Sequence, residues 1–361
     1  MKTSWSKQEL TGILSSRDPL LLDELLAAAD RCRREIVGNG VYLRGLIEFS
    51  NECRRNCYYC GIRKGNRGIQ RYRLASADIV ALAMSAMNAG YSSLALQSGE
   101  VYDTLEINEV VDFVEEIKSQ SQARDNTGRG LGITLSIGEL SYDQYRALWE
   151  AGAHRYLLRI EASAPQLFKK IHPPDQNYEK RLQCLDALKS IGYQVGTGIM
   201  VGLPGQSIAD LVHDLQFFVD RDIDMLGMGP YILHLNAPLS KLTVPDFDPF
   251  SMTLKIIALS RLMMPDINIV CSTALQTINP RGLELGLKAG ANIVMPVLTP
   301  ENNRGDYSLY ADKNYTRPHD LIERIKGYGY EVSLGAWGDS KHYAARRKIG
   351  IDTTHCRKFA N

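Results

Sequence analysis

Eight short apolar segments, each followed by a stretch with helical periodicity, constrain this chain more than any other feature. The segments are 41–49, 92–97, 131–137, 155–160, 194–201, 225–232, 267–273 and 292–298. Helical patterns lie near 76–89, 105–122, 141–151, 177–191, 206–220, 250–264, 279–288 and 318–327. Strands separated by helices are joined by crossovers, and a crossover leads to a parallel neighbour, not to a hairpin partner. Eight such units over roughly 250 residues suit closure into a barrel. The expected fold class is therefore α/β, a (β/α)8 TIM-type barrel over 41–330. It has an N-terminal helical extension at 1–40 and a short C-terminal extension at 331–361. In the first extension, Lys7 to Val37 reads as helical. Its apolar face is Leu20, Leu21, Leu22, Leu25, Leu26 and Ala27, and Gly38-Asn39-Gly40 ends it. Ser141 and Gln144 match a capping box at a helix start.

Composition narrows the partners. The 361 residues are 44% hydrophobic, enough for a sizeable core, and the formal net charge of +1 gives no electrostatic case for nucleic acid or an anionic membrane. No apolar run approaches the ~20 residues that span a bilayer. Met1 to Leu10 lacks the basic-then-apolar order of a signal peptide. A cytoplasmic protein is expected, and seven cysteines with three clustered suit a reducing compartment.

Catalytic groups of a barrel belong at the carboxyl ends of its strands. Directly after the first segment stand Cys53, Cys57 and Cys60 in a C-x3-C-x2-C spacing. Three thiolates from one loop can each take a different iron of a cubane [4Fe-4S] cluster, leaving the fourth iron without a protein ligand. A structural zinc site commonly closes with four ligands in two pairs, and no second pair exists. Cys32, Cys184, Cys271 and Cys356 stand singly, where a cysteine reads as a small buried hydrophobe. Polar groups end other strands too: Gln97-Ser98-Gly99-Glu100, Ser136-Ile137-Gly138-Glu139 and Gly202 to Gln206. Arg159 and Glu161 alternate with Leu158 and Ile160, so they share one strand face, and an inward charge must be paired or ligand-bound. Thr134, Ser136, Ser272 and Thr273 offer hydroxyl donors that, with Arg159, suit an anionic or metal-bound small substrate; packing hydroxyls are the plain alternative. A regular strand would turn only one of Ser272 and Thr273 inward.

The cysteine spacing resembles the signature of the radical S-adenosylmethionine (SAM) superfamily. That resemblance implies a [4Fe-4S] cluster whose open iron chelates SAM and cleaves it by one-electron transfer to a 5′-deoxyadenosyl radical. It further implies that Tyr59 packs near the adenine, that Glu100 takes the methionyl amino group and that Arg181 grips the carboxylate. Met200, in Gly198-Ile199-Met200-Val201-Gly202, lies on the adenine motif; Tyr231, Ile232 and Leu233 add backbone contacts to adenine; Ser136 and Glu161 join the cofactor site. Longer strings are similar to the HydE family of [FeFe]-hydrogenase maturases, relatives of biotin synthase and methylornithine synthase. They are Ile47 to Asn51, Arg71-Tyr72-Arg73, Leu96 to Glu100, Arg155 to Arg159, Val201 to Gln206 and Ala289 to Asn292. This implies a substrate of the Fe(CO)2(CN)-cysteine type acted on at Arg159, Thr134, Ser272 and Thr273. The implied partners are HydG- and HydF-type maturases and a reductant such as ferredoxin or flavodoxin. The chain departs from the family at Ile160, where a histidine is common, at Ile232 to Leu235, which lacks flanking prolines, and at Leu275-Gln276. Residues 310–326 hold no cysteine for an accessory cluster. The rivals are a methylornithine-synthase-like mutase, which needs an inward acid where Ala274 stands, and a non-catalytic iron-sulfur scaffold.

Overall fold

The computed structural model describes residues 5–101, 103–313 and 315–348; Cys356 and the rest of the expected C-terminal extension beyond 348 lie outside the described residues. The strands are β1 (Gly40–Leu43), β2 (Gly45–Ser50), β3 (Ser93–Ser98), β4 (Gly132–Ser136), β5 (Ala153–Leu157), β6 (Gln194–Thr197), β7 (Met200–Val201), β8 (Met225–Pro230), β9 (Asn268–Cys271), β10 (Ile293–Val294) and β11 (Glu331–Ser333). All pairings are parallel, in the order β11-β1-β10-β9-β8-β6-β5-β4-β3-β2, with β7 beside β8. The sheet curls until β2 meets the chain just past β10. Leu46 of β2 bridges Val297, with hydrogen bonds from Leu46 N to Pro296 O (2.8 Å) and from Leu298 N to Leu46 O (2.7 Å). This is the parallel α/β barrel architecture expected from the alternation.

The strands bury on both faces, as parallel strands between a core and a helical layer must. On β2, Ile47 and Phe49 join the outer core, where Phe49 meets Phe113 edge-on at 5.5 Å, while Leu46 and Glu48 line the interior cavity. Helix starts follow their side-chain caps. Ser141 and Gln144 form the reciprocal capping box, and Asn177 caps the helix Tyr178–Ile191 that carries Arg181.

Several boundaries differ from the sequence reading. The N-terminal helical stretch is two helices, Lys7–Ser15 and Pro19–Ile36, because Pro19 takes a first-turn position behind the Asp18 cap. Leu20 and Ala27 face solvent, and the buried stripe is Leu25, Leu26, Ala29 and Cys32. The fourth segment ends at Leu157, so Arg159 and Glu161 lie beyond the strand, and Glu161 has φ +64°. The seventh ends at Cys271, after which Ser272 leads into the helix Thr273–Ile278.

The C-terminal segment closes the amino end of the barrel. β11 pairs with β1 on the edge away from β10, and Ser92 N donates to Leu334 O (2.9 Å), so the segment fills the space between the starts of β1 and β3. Beneath, Trp337 stacks on His154 at 4.4 Å and donates to Gly130 O. Arg155 binds Asp339 at 2.6 Å and Arg44 donates to Gly338 O. His342 then sits between Asp222 and Asp266.

Candidate active site at the carboxyl end of the barrel

A cavity of about 340 Å³ opens at the carboxyl ends of the strands. The cysteine loop forms one wall. It leaves β2 through Asn51, whose side-chain amide donates to Gln70 O and Asp306 O, both 2.7 Å. The Arg71 guanidinium gathers the loop's carbonyls, donating to Asn51, Ile62, Arg63 and Asn66. Gly99 lets the loop close onto β3: a methyl group there would stand 2.0 Å from Glu52 O and 2.6 Å from Cys53 Cβ. Its need for glycine thus comes from the cysteine loop rather than from a ligand.

Cys53, Cys57 and Cys60 all line the cavity and form no disulfide. Cys53 Sγ accepts from the backbone N–H groups of Arg55 (3.4 Å) and Glu100 (3.3 Å), while Cys57 Sγ lies 3.2 Å from Gln176 Oε1. Among the described residues no group of three or more Cys, His, Asp or Glu side chains is arranged to hold a single metal ion. Separate soft donors from one loop, one of them already receiving two amide hydrogens, fit a cubane that puts each thiolate on its own iron. Burial pushes all three thiols up, Cys60 to about 12 with the Cys53 charge adding to it. A bound cluster's positive charge would offset this burial and hold the three as thiolates.

Beside the cysteines runs a buried ion network. Glu100 Oε1 accepts from Arg54 (2.9 Å) and Arg55 (2.6 Å), and Glu139 is held between Arg55 (2.9 Å) and Arg181 (2.7 Å). Arg181 also donates to the carbonyl of Arg159. Gly138, at φ +95°, permits this packing, since a Cβ there would fall 2.1 Å from Glu100 Cγ. Across the mouth, Arg159 pairs with Glu161 at 2.9 Å and donates to Ile199 O. Burial raises the Glu161 carboxyl while Arg159 and Arg181 oppose it. Tyr59 meets His172 at 3.3 Å. His172 Nδ1 faces the Phe168 carbonyl at 2.9 Å, so Nδ1 carries the proton and Nε2 accepts from the Tyr59 hydroxyl. Burial, with Arg181 adding, pushes His172 down to about 3 and keeps it neutral.

The structure brings Tyr59, Glu100, Ser136, Arg159, Glu161, Arg181, Met200, Ile232, Ser272 and Thr273 to this same cavity as the cysteines. Ser272 and Thr273 both line it because the strand stops before them, which a continuous strand would forbid. Three others are elsewhere. Thr134 sits a layer lower, where its hydroxyl accepts from Arg155 Nε at 2.8 Å. Tyr231 turns its ring into a satellite apolar cluster with Leu203 and Leu239, and Leu233 is 40% exposed. Arg55, Glu139, Gln176, Gln97, Tyr307, Glu48 and Lys313 were not singled out as site residues, yet most line the cavity directly. Gln97 and Glu139 stand in the polar strings at strand ends, and for the charged members the rule that a buried charge needs a partner was a further pointer.

Fold and cysteine loop together define a class, and the comparisons agree with it. The Radical SAM superfamily model matches residues 47–218. The "[FeFe] hydrogenase maturase subunit HydE" of Thermotoga maritima is 44% identical over 313 residues, 86% of each chain. A 3-methylornithine synthase of Methanosarcina acetivorans is 28% identical over 90% of each chain. The crystal structure of methylornithine synthase (PylB) superposes with a TM-score of 0.80 at 25% identity, covering 95% of this chain and 96% of that one. The chain belongs to the radical SAM superfamily and, within it, to the HydE family. It is a radical SAM enzyme that uses a [4Fe-4S] cluster and SAM. No helix among the described residues is long and apolar enough to cross a membrane.

Proposed function

We propose that the protein is a HydE-type maturase that acts on a small organometallic substrate during assembly of the [FeFe]-hydrogenase diiron subcluster. Cys53, Cys57 and Cys60 hold the cluster, which with SAM supplies a 5′-deoxyadenosyl radical on reduction. Glu100, Ser136, Glu161 and Arg181 surround the polar end of SAM. Tyr59, Met200 and Ile232 flank its adenine. Arg159, Ser272 and Thr273 meet the substrate, an Fe(CO)2(CN)-cysteine type complex whose cyanide, carbonyl and carboxylate groups accept hydrogen bonds. HydG- and HydF-type maturases would precede and follow it, with ferredoxin or flavodoxin as reductant. The observation that carries this reading is that the three cysteines share one cavity with Arg159, Ser272 and Thr273, in a chain 44% identical to a HydE maturase.

The likeness to methylornithine synthase favours a second reading, an amino-acid mutase. Ala274, just past the end of β9, lines the cavity where that reading requires an acid. Cell-free hydrogenase maturation lacking HydE separates the two: the added protein restores hydrogen evolution under the maturase reading and leaves it absent under the other. Under either, reconstituted enzyme with dithionite yields 5′-deoxyadenosine well above a Cys57→Ser control. A scaffold yields none.

A further inference from the structure

Opposite Arg159, three strands round the barrel, lies a second ion pair that the SAM site does not use. Lys313, from the segment after β10, pairs with Glu48 of β2; their side chains are 6% and 1% exposed, yet both line the cavity. Glu48 is doubly held, since Oε2 also accepts from the Thr299 hydroxyl at 3.4 Å. Lys313 is not. An ammonium has three donors, and among the described residues Lys313 makes one hydrogen bond, to Glu48. The ring faces of Tyr307 and Tyr315, each 5.2 Å from Nζ, attract the cation but accept no conventional hydrogen bond from it. A buried cation with donors left over, on a cavity wall, is arranged to meet an anion inside.

We propose that Lys313, steadied by Glu48, binds a carboxylate of the small substrate from the wall facing Arg159, and so selects a ligand that bears an amino-acid carboxylate. The inference rests on the reading of this cavity as the substrate site and adds to it the residue that holds the substrate's carboxylate.

The test compares L-cysteine with cysteamine, the same molecule without its carboxylate, by calorimetric titration of the cluster-reconstituted protein. The wild type binds L-cysteine more tightly. Lys313→Met loses about ten- to hundredfold for L-cysteine, the range expected for one charge-assisted hydrogen bond, and little for cysteamine. Lys313→Arg retains the preference. Since Lys313→Met leaves Glu48 alone, the paired neutral variant Glu48→Gln with Lys313→Met is measured too, and it must lose the same preference. Wild type without preference for L-cysteine, or a preference that survives in both neutral variants while only their melting temperature falls, overturns the proposal and leaves the pair as a fastening for the loop. Formation of 5′-deoxyadenosine by the wild type is scored separately, so failure of the radical reading is distinguishable from failure of this one.

Discussion

Replacing Gly99 by alanine should dislodge the cysteine loop. The new methyl would stand 2.0 Å from the Glu52 carbonyl oxygen and 2.6 Å from Cys53 Cβ, both parts of the short loop and neither the end of a flexible chain. Relief requires the loop to retreat by about 1 Å, and overpacking of this kind costs about 1–3 kcal/mol. The retreat weakens the N–H bonds that Arg55 and Glu100 direct at Cys53 Sγ, at 3.4 and 3.3 Å. At about 2–4 °C per kcal/mol for a large domain, the melting temperature of the apo protein should fall by several degrees. Iron bound per chain after anaerobic reconstitution should fall with it. Gly12→Ala is the control: nothing lies within 4 Å of a Cβ there, in the middle of the helix Lys7–Ser15, so it should stabilise by about 0.5–1 kcal/mol. Wild-type melting together with full iron content in Gly99→Ala would refute the packing argument.

Three further expectations can be checked alongside. Serine at Cys53, Cys57 or Cys60 should abolish iron binding and 5′-deoxyadenosine formation, whereas Cys184→Ser, at a buried thiol that meets the Leu140 carbonyl and the Tyr145 hydroxyl, should retain both; equal loss at all four would contradict the assignment. Glu139→Ala removes a fully buried carboxylate from between Arg55 and Arg181, and chemical denaturation should show a loss of about 3–5 kcal/mol. His342 is raised to about 10 by its bonds to Asp222 and Asp266. Its folded pKa exceeds the unfolded value near 6.5, so its stabilisation is complete below about pH 6.5 and disappears as pH rises through about 10. On the acid side the clamp fails as Asp222 and Asp266, both held below the usual carboxylate range by His342, become protonated. Melting temperatures of wild type and His342→Ala should therefore differ at neutral pH and converge at both extremes; a difference independent of pH would count against it.

Much of the architecture was legible because its signals are local. Strand-helix alternation is written in apolar runs and breaks, and the three clustered cysteines lie within eight consecutive residues. Where the reading strayed, long-range geometry intervened. Thr134 carries the right inward periodicity, yet Arg155 and Asp339 occupy its level of the barrel. Ser272 and Thr273 both reach the cavity because the chain turns helical there.

By itself the sequence determined the repeated parallel unit, the approximate order of the strands and the three-cysteine loop, since each depends on residues close together in the chain. Only the tertiary structure decided which charges share the cavity. Lys313 meets Glu48 across 265 residues and Arg55 meets Glu139 across 84. It also decided that β11, three residues without a distinctive pattern, completes the amino end of the barrel. Such pairings leave no mark on local periodicity: a buried charge announces that it needs a partner, but closure of the sheet selects which one it finds.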